Sequence, residues 1–387
     1  MTNWKEYKLS DLMQIKYGKD HKHLADGSYP LYGSGGIMRY VEKPLYEDES
    51  ILIPRKGTLS NLFYLNEPFW SVDTMFWSII NKDLALPKYL YYTLKTFDLA
   101  SLNVGSAVPS LTTEVLNDVL VSVPDINTQT AIAEILSSLD DKIELNNKIN
   151  QELENLAQTL FKQWFIDFEF PNEKGEPYKS SGGEMLESEL GEIPKGWEVG
   201  SIYDVSDVIY GAPFKSKLFN QENKGLPLIR IRDLKTFQPQ NWTEEIHPKG
   251  TKIIAGDLVV GMDAEFRAHF WLGQPAWLNQ RLCHFRPKKG FSKLFVREII
   301  RPQLAFHENS SVGTTVIHLG KGDIDTFKSL IPSKKVLLAF EELSNSLFDS
   351  IINTSKENQE LTNLRDTLLP KLISGELEVA EVMAEKA

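Results

Sequence analysis

The feature that most constrains this chain is an internal repeat, because a missed repeat misassigns a whole fold. Laying Val104 on Val312 aligns VGSAVPSLTTEVLNDVLVSVP (104–124) with VGTTVIHLGKGDIDTFKSLIP (312–332) without a gap, so that Leu111 meets Leu319 and Pro124 meets Pro332. The same displacement lays NQELENL (150–156) on NQELTNL (358–364). Upstream the register drifts, as loops of unequal length make it. Even so, Tyr17-Gly18 has a counterpart in Tyr210-Gly211, and LNQRLCHFRP follows Trp277 as strand-like sequence follows Trp70. The chain is a tandem duplication with halves 1–190 and 191–387.

Each half has two parts. The first (1–124, and 195–332) is rich in Tyr, Trp, Phe, Gly and Pro, with short β-like runs such as ESILIPR (49–55) and GDLVVGM (256–262) broken by turn residues. The second (125–165, and 333–375) reads as one long helix. Ile132, Ile135, Leu139, Ile143, Leu153, Leu156, Leu160 and Trp164 recur at steps of three and four. So do Phe340, Leu343, Leu347, Ile351, Leu361, Leu364, Leu368 and Leu372. At about 1.5 Å per residue such a helix is a rod of about 60 Å. Asn146, Asn150 and Asn358 fall on or beside the stripe, where polar residues fix register at some cost in stability. The expected fold class is α+β: two β-rich domains, each followed by a long helix, the two helices pairing as an antiparallel coiled coil. A linker (166–194) joins the halves and an acidic tail (376–387) ends the chain.

Catalytic chemistry finds little support. LNEPFW (65–70) lies close to the Asn-Pro-Pro-aromatic signature with which adenine-N6 DNA methyltransferases hold a flipped base, but Glu67 stands where that signature needs a proline. Its counterpart in the second half is LGQPAW (272–277), which keeps Leu, Pro and Trp and loses the Asn and the aromatic. A strand-turn-strand corner is the expectation. YGSGGIMRY (32–40) has the glycines of a phosphate loop without a following Gly-Lys-Ser/Thr, so a flexible loop is expected there. His21 and His23 have no third ligand spaced to close a metal site. Asp263 and Glu265 resemble nuclease carboxylates but lack a following lysine, and Arg267 is placed to pair with one of them. Cys283 and His284 are neighbours on a strand and face opposite ways. No catalytic residue, metal site or cofactor is expected in this chain.

The single cysteine and the lack of any long apolar run or secretion signal point to a cytoplasmic protein without a membrane partner. The formal net charge of -11 argues against a nucleic-acid partner only if it is spread evenly. It is not: acids outnumber bases seven to three in 125–165, eight to two in 166–192 and four to one in 376–387, leaving the β-rich parts slightly basic. An acidic scaffold or DNA mimic would carry its charge on the globular parts instead.

Basic residues in those parts interleave with aromatic and small polar ones, the residue types that hold phosphates and read base edges. In the first half the candidates are His21, Lys22, His23, Arg39, Arg55, Lys56, Thr58 and Asn61. In the second they are Lys215, Lys217, Arg230, Arg232, Arg267, Gln280 and Arg281, with Arg230 and Arg232 expected to share one face of a strand. The halves differ most here and agree most in the helices. Two halves that bind like partners but read different sequences need that pattern.

A variable β-rich domain precedes GSAVPSLTTEVLNDVLVSVPDINTQTAIAEILSSLDDKIELNNKINQELENLAQTLFKQWF (105–165), and after SGGEMLESELGEIPKGWEV (181–199) the order begins again. Over nearly the whole chain this resembles the specificity subunit of type I restriction–modification systems. One departure is that Ser333 to Leu338 lacks the glutamine found at Gln129. The resemblance implies two target recognition domains related by a pseudo-two-fold axis, each reading one half of a bipartite asymmetric site in double-stranded DNA. It implies helices that set the spacer, and that dock two methyltransferase subunits carrying S-adenosylmethionine, with restriction/translocase subunits joining them. The docking and seam positions are then Ile132, Leu139, Ile143, Leu153, Leu160, Leu343, Leu347, Ile351, Leu361 and Leu368. The rival from another class is a stand-alone adenine-N6 methyltransferase built on LNEPFW.

Overall fold

A computed structural model describes residues 4–105, 109–310 and 317–380. The chain forms two compact units, Met1–Glu144 with Gln359–Ala387, and Leu145–Asn358. The boundary cuts both long helices, so each unit holds one β-rich domain and part of each helix. The end of the acidic tail lies outside the described residues, as do residues 106–108 and 311–316 of the two aligned segments.

The first unit opens with β1 (Lys5–Lys8), the single-turn α1 (Leu9–Leu12) and β2 (Met13–Tyr17). β3 (Asp26–Gly33), β4 (Gly36–Val41), β5 (Ser50–Pro54), β6 (Phe63–Leu65), β7 (Trp70–Ser71) and β8 (Met75–Ile80) follow. Then come α2 (Pro87–Lys95), α3 (Thr113–Asn117), β9 (Leu120–Val123) and the long α4 (Ile126–Phe165). Strands order as β2-β8-β5-β6 and β4-β3-β7, and β1 pairs with β9. SILIP in β5 is buried at every position: the apolar run 51–54 is covered, and the buried Ser50 hydroxyl donates to the Ser78 carbonyl at 2.8 Å. The YGSGG stretch is a tight hairpin turn between β3 and β4, with Gly33 opposite Gly36, and not a flexible loop; Gly36 has a φ of 107° that a glycine adopts freely.

The second unit has a hairpin of β10 (Met185–Ser188) and β11 (Gly191–Pro194), then β12 (Glu198–Ser201), α5 (Ile202–Val205) and β13 (Ser206–Tyr210). β14 (Phe219–Asn220), β15 (Leu226–Ile229), β16 (Trp242–Thr243), β17 (Lys252–Ile253), β18 (Leu258–Gly261), β19 (Ala268–Phe270), β20 (Ala276–Leu278) and β21 (Leu282–Pro287) build its sheets. α6 (Lys293–Ser310), α7 (Lys321–Ile324), β22 (Lys328–Ile331) and the long α8 (Lys334–Ser374) complete it. The Gly-Glu-Ile-Pro-Lys-Gly-Trp signature is a packing anchor, because Trp197 stacks on Phe170 at 5.1 Å and Ile193 joins the same core.

The repeat holds at the level of hydrogen-bonded pairs. Lys5 faces Val123 in the first unit and Glu198 faces Ile331 in the second. Tyr17 faces Phe76, and Tyr210 faces Cys283. Leu31 lies parallel to Trp70 as Leu228 does to Trp277. Gly18 and Gly211 are required for the same reason, since a Cβ on either would stand 2.0 Å from a carbonyl oxygen, that of Val72 or that of Asn279. Only glycine lets the two segments approach so closely.

In each unit the α4 and α8 segments run antiparallel. In the first, Arg365 Nη1 lies 2.7 Å from Asp140 Oδ1, and Leu369, Leu372 and Ile373 share a core with Ile132, Ile135 and Leu136. In the second, Asn146 donates to Glu357 at 2.8 Å and to Asn358 at 2.9 Å, Asn150 donates to Ser355, and Phe340 packs on Trp164 and Phe165. The asparagines of the stripe do meet across the seam. Ile132, Leu139 and Ile351 are buried, and Ile143, Leu153, Leu160, Leu347, Leu361 and Leu368 are half-buried. Leu343 departs from the expected stripe: it is 47% exposed, while its neighbour Ser344 is buried. Leu156 and Leu364 also turn outward, and Ala157 takes the buried position beside Phe161. Small residues occupy the seam there because large aromatic neighbours already fill the space.

Candidate nucleic-acid interface

LNEPFW is a corner between β6 and β7. Phe69 is fully buried and its backbone exchanges hydrogen bonds with Tyr46, so its ring cannot stack on a flipped base. Asn66 points to solvent. Cys283 and His284 both lie buried in β21, where burial pushes the thiol up and the imidazole below its ordinary 6.5. Among the described residues no cluster of three or more His, Cys, Asp or Glu side chains could hold a metal ion, and no helix is long and apolar enough to cross a membrane.

The second domain gathers four of its seven candidates into one cleft of about 510 Å³: Arg230, Arg232, Gln280 and Arg281, with Phe214, Phe219, Ser216 and Asp263 beside them. The two arginines do not share a strand. β15 stops at Ile229, and Arg230 caps a turn of 3-10 helix (Ile231–Leu234) by donating its amide to Asp233 Oδ2 at 2.8 Å. Asp233 is buried; desolvation raises its carboxyl pKa, against the pull of that amide and of both arginines. The Arg230 guanidinium stands 5.4 Å from the centre of the Phe219 ring, held over an aromatic face. Lys215 and Lys217 are exposed, Lys217 within the 3-10 turn Ser216–Leu218. Arg267 lies elsewhere. It pairs with Glu308 and lines a second cavity of about 870 Å³ with Arg297 and His269, while Glu265 pairs with Lys235.

In the first domain the candidates divide by role. Arg39 bonds Asp26 at 2.8 Å and the carbonyls of His21 and Leu24, so its donors hold the 21–26 loop in place. His23 sits edge-on to Trp70, and Lys22 is exposed. Arg55 lies over Tyr17 at 5.3 Å and donates to the Asp73 carbonyl, an arrangement like Arg230 on Phe219. Lys56 and Thr58 are exposed, and Asn61 ties their loop to the hairpin turn by donating to the Ser34 carbonyl at 2.6 Å. The two platform rings, Tyr17 and Phe219, were not among the candidates; an aromatic ring is silent in sequence until an arginine is placed above it. Asp263 also has a role outside nuclease chemistry, with His318 Nδ1 at 2.7 Å and Arg281 Nε at 3.4 Å.

Gln129, which the second half lacks, is buried rather than presented to a partner. Its side chain accepts from the Leu86 amide and donates to the carbonyls of Leu84 and Pro124. Leu337 takes the equivalent place in the second unit and packs into its core.

Comparison with known proteins agrees with this architecture. Residues 1–155 and 194–363 match the type I restriction modification DNA specificity domain. The chain is 30% identical to the type I restriction enzyme MjaIX specificity subunit of Methanocaldococcus jannaschii, over 98% of its own length and 90% of that protein's. It is 26% identical to the type I restriction enzyme HindI specificity subunit of Haemophilus influenzae, over 97% of this chain and 100% of that one. The solved S subunit of the type I system of M. genitalium has the same fold, with a TM-score of 0.58 at 16% identity over 96% of both chains. Matched across both β-rich domains and into both long helices, the chain belongs to the type I restriction-modification DNA specificity family.

Proposed function

We propose that each β-rich domain reads one half of a bipartite, asymmetric site in double-stranded DNA, and that the paired helices set the spacer and dock two modification subunits. The chain is a non-catalytic DNA-recognition subunit that works in association with other restriction-modification subunits. Methyl transfer and S-adenosylmethionine then belong to the modification subunits, and restriction/translocase subunits join the full complex in the cytoplasm. The observation that carries the reading is a scaffold repeated pair for pair whose exposed linings differ. Arg55 on Tyr17 and Arg230 on Phe219 offer like platforms, while the neighbouring side chains are unlike. Bidentate arginine suits guanine O6 and N7, and glutamine suits adenine.

The test is reconstitution with modification subunits and mapping of methylated adenines. A bipartite site is expected with the chain and none without it, and the chain alone should transfer no methyl group from labelled S-adenosylmethionine. Methyl transfer by the chain alone would return LNEPFW to consideration.

A further inference from the structure

Beyond the strand ladders, the two domains repeat one junction between loops bond for bond. After β5, the Arg55 amide donates to the Thr74 carbonyl, the Leu111 amide to Arg55, and the Gly57 amide to Pro109 at 3.2 Å, with Lys56 and Ser110 paired between. After β18, the Met262 amide donates to Arg281, the Leu319 amide to Met262, and the Ala264 amide to Ile317 at 3.1 Å, with Asp263 and His318 paired between. Gly57 and Ala264 even share a left-handed backbone, with φ of 92° and 64°. Lys56, Thr74 and Ser110 therefore occupy the same places as Asp263, Arg281 and His318.

The bonds that build this junction are all backbone bonds, so the frame does not depend on the three side chains it displays. Those side chains differ in the property DNA senses most, because one domain has a cation with two hydroxyls where the other has an anion flanked by a guanidinium and an imidazole. Asp263 touches both neighbours and, with Arg281, lines the cleft that holds Arg230, Arg232 and Gln280.

We propose that these three equivalent positions are specificity determinants, with Arg281, aimed by Asp263, reading a G·C pair in the half-site of the second domain, and Lys56, Thr74 and Ser110 reading a different pair in the first. Arg281 contacts the guanine edge. Asp263 is a positioning residue that fixes the guanidinium plane and leaves an acceptor for a cytosine amino group. This rests on the reading of the chain as a two-domain DNA reader.

The experiment places the first domain's residues in the second (Asp263→Lys, Arg281→Thr, His318→Ser) in the complex with modification subunits and maps the methylated sites. Discrimination at one G·C position of the second half-site should fall by about tenfold or more, with the first half-site and spacer unchanged. Asp263→Asn, which keeps shape, should weaken the same position alone at an unchanged melting temperature, guarding against misfolding of the triple variant. An unchanged second half-site, or equal loss at both halves, overturns the proposal. A wild-type complex that returned no bipartite site would instead overturn the two-domain reading on which it rests.

Discussion

Gln129 satisfies three backbone groups from a buried position at the head of α4, tying the helix to the 84–86 loop. Gln129→Ala leaves one amide and two carbonyls without their partner and should cost about 2–3 kcal/mol, seen as a lower denaturant midpoint with an unchanged slope. Ala264 is a non-glycine residue in left-handed backbone where its counterpart is Gly57. Ala264→Gly should therefore stabilise by about 1 kcal/mol, read as a rise in melting temperature. His284 gives a pH dependence. Burial holds its pKa below 6.5, only partly opposed by its contact with the Leu258 carbonyl, and burial lowers His269 too. As pH falls through about 6.5 the unfolded chain takes up these protons first, so stability is full above that value and is lost below it. His284→Gln should flatten that loss in an unfolding titration between about pH 7 and 5.

At the scale of elements, the helix pair is held by apolar contacts and by a polar stretch in which Asn146, Asn150, Ser355 and Asn358 meet. Asparagine contacts of this kind fix register at some expense in stability. Leu139→Asp with Leu347→Asp places a carboxylate in each half of the pair and should cost several kcal/mol, with a changed or lost spacer preference among methylated sites. An unchanged spacer would contradict the helices as ruler. The existence and length of these helices were legible in sequence because leucines and isoleucines recur over many turns. Their phase was not, since Ala157 and Ser344 carry no apolar signal strong enough to outrank Leu156 and Leu343. The cleft was legible only in its cations. Asp263, Arg281 and His318 come from three separated segments, and no spacing rule links them before the chain folds.

Over the whole molecule, the acids concentrate in the helices, linker and tail, while each β-rich domain carries an arginine on an aromatic ring. Replacing residues 1–124 with the equivalent domain of a relative should therefore change one half-site and leave the other. A change in both halves would contradict independent readers. If partner subunits supply much of the positive charge, DNA affinity of the complex should fall more steeply with salt than that of the free chain; equal slopes would show otherwise. The division into units also bears on synthesis. The second unit is one continuous stretch, Leu145–Asn358, whereas the core of the first includes Leu369, Leu372 and Ile373, and Gly375 lies against Trp4. On the ribosome the domain made first must wait, and the domain made second has all its residues sooner. A chain stopped after Asn358 should thus protect its later domain from protease and leave its earlier one open.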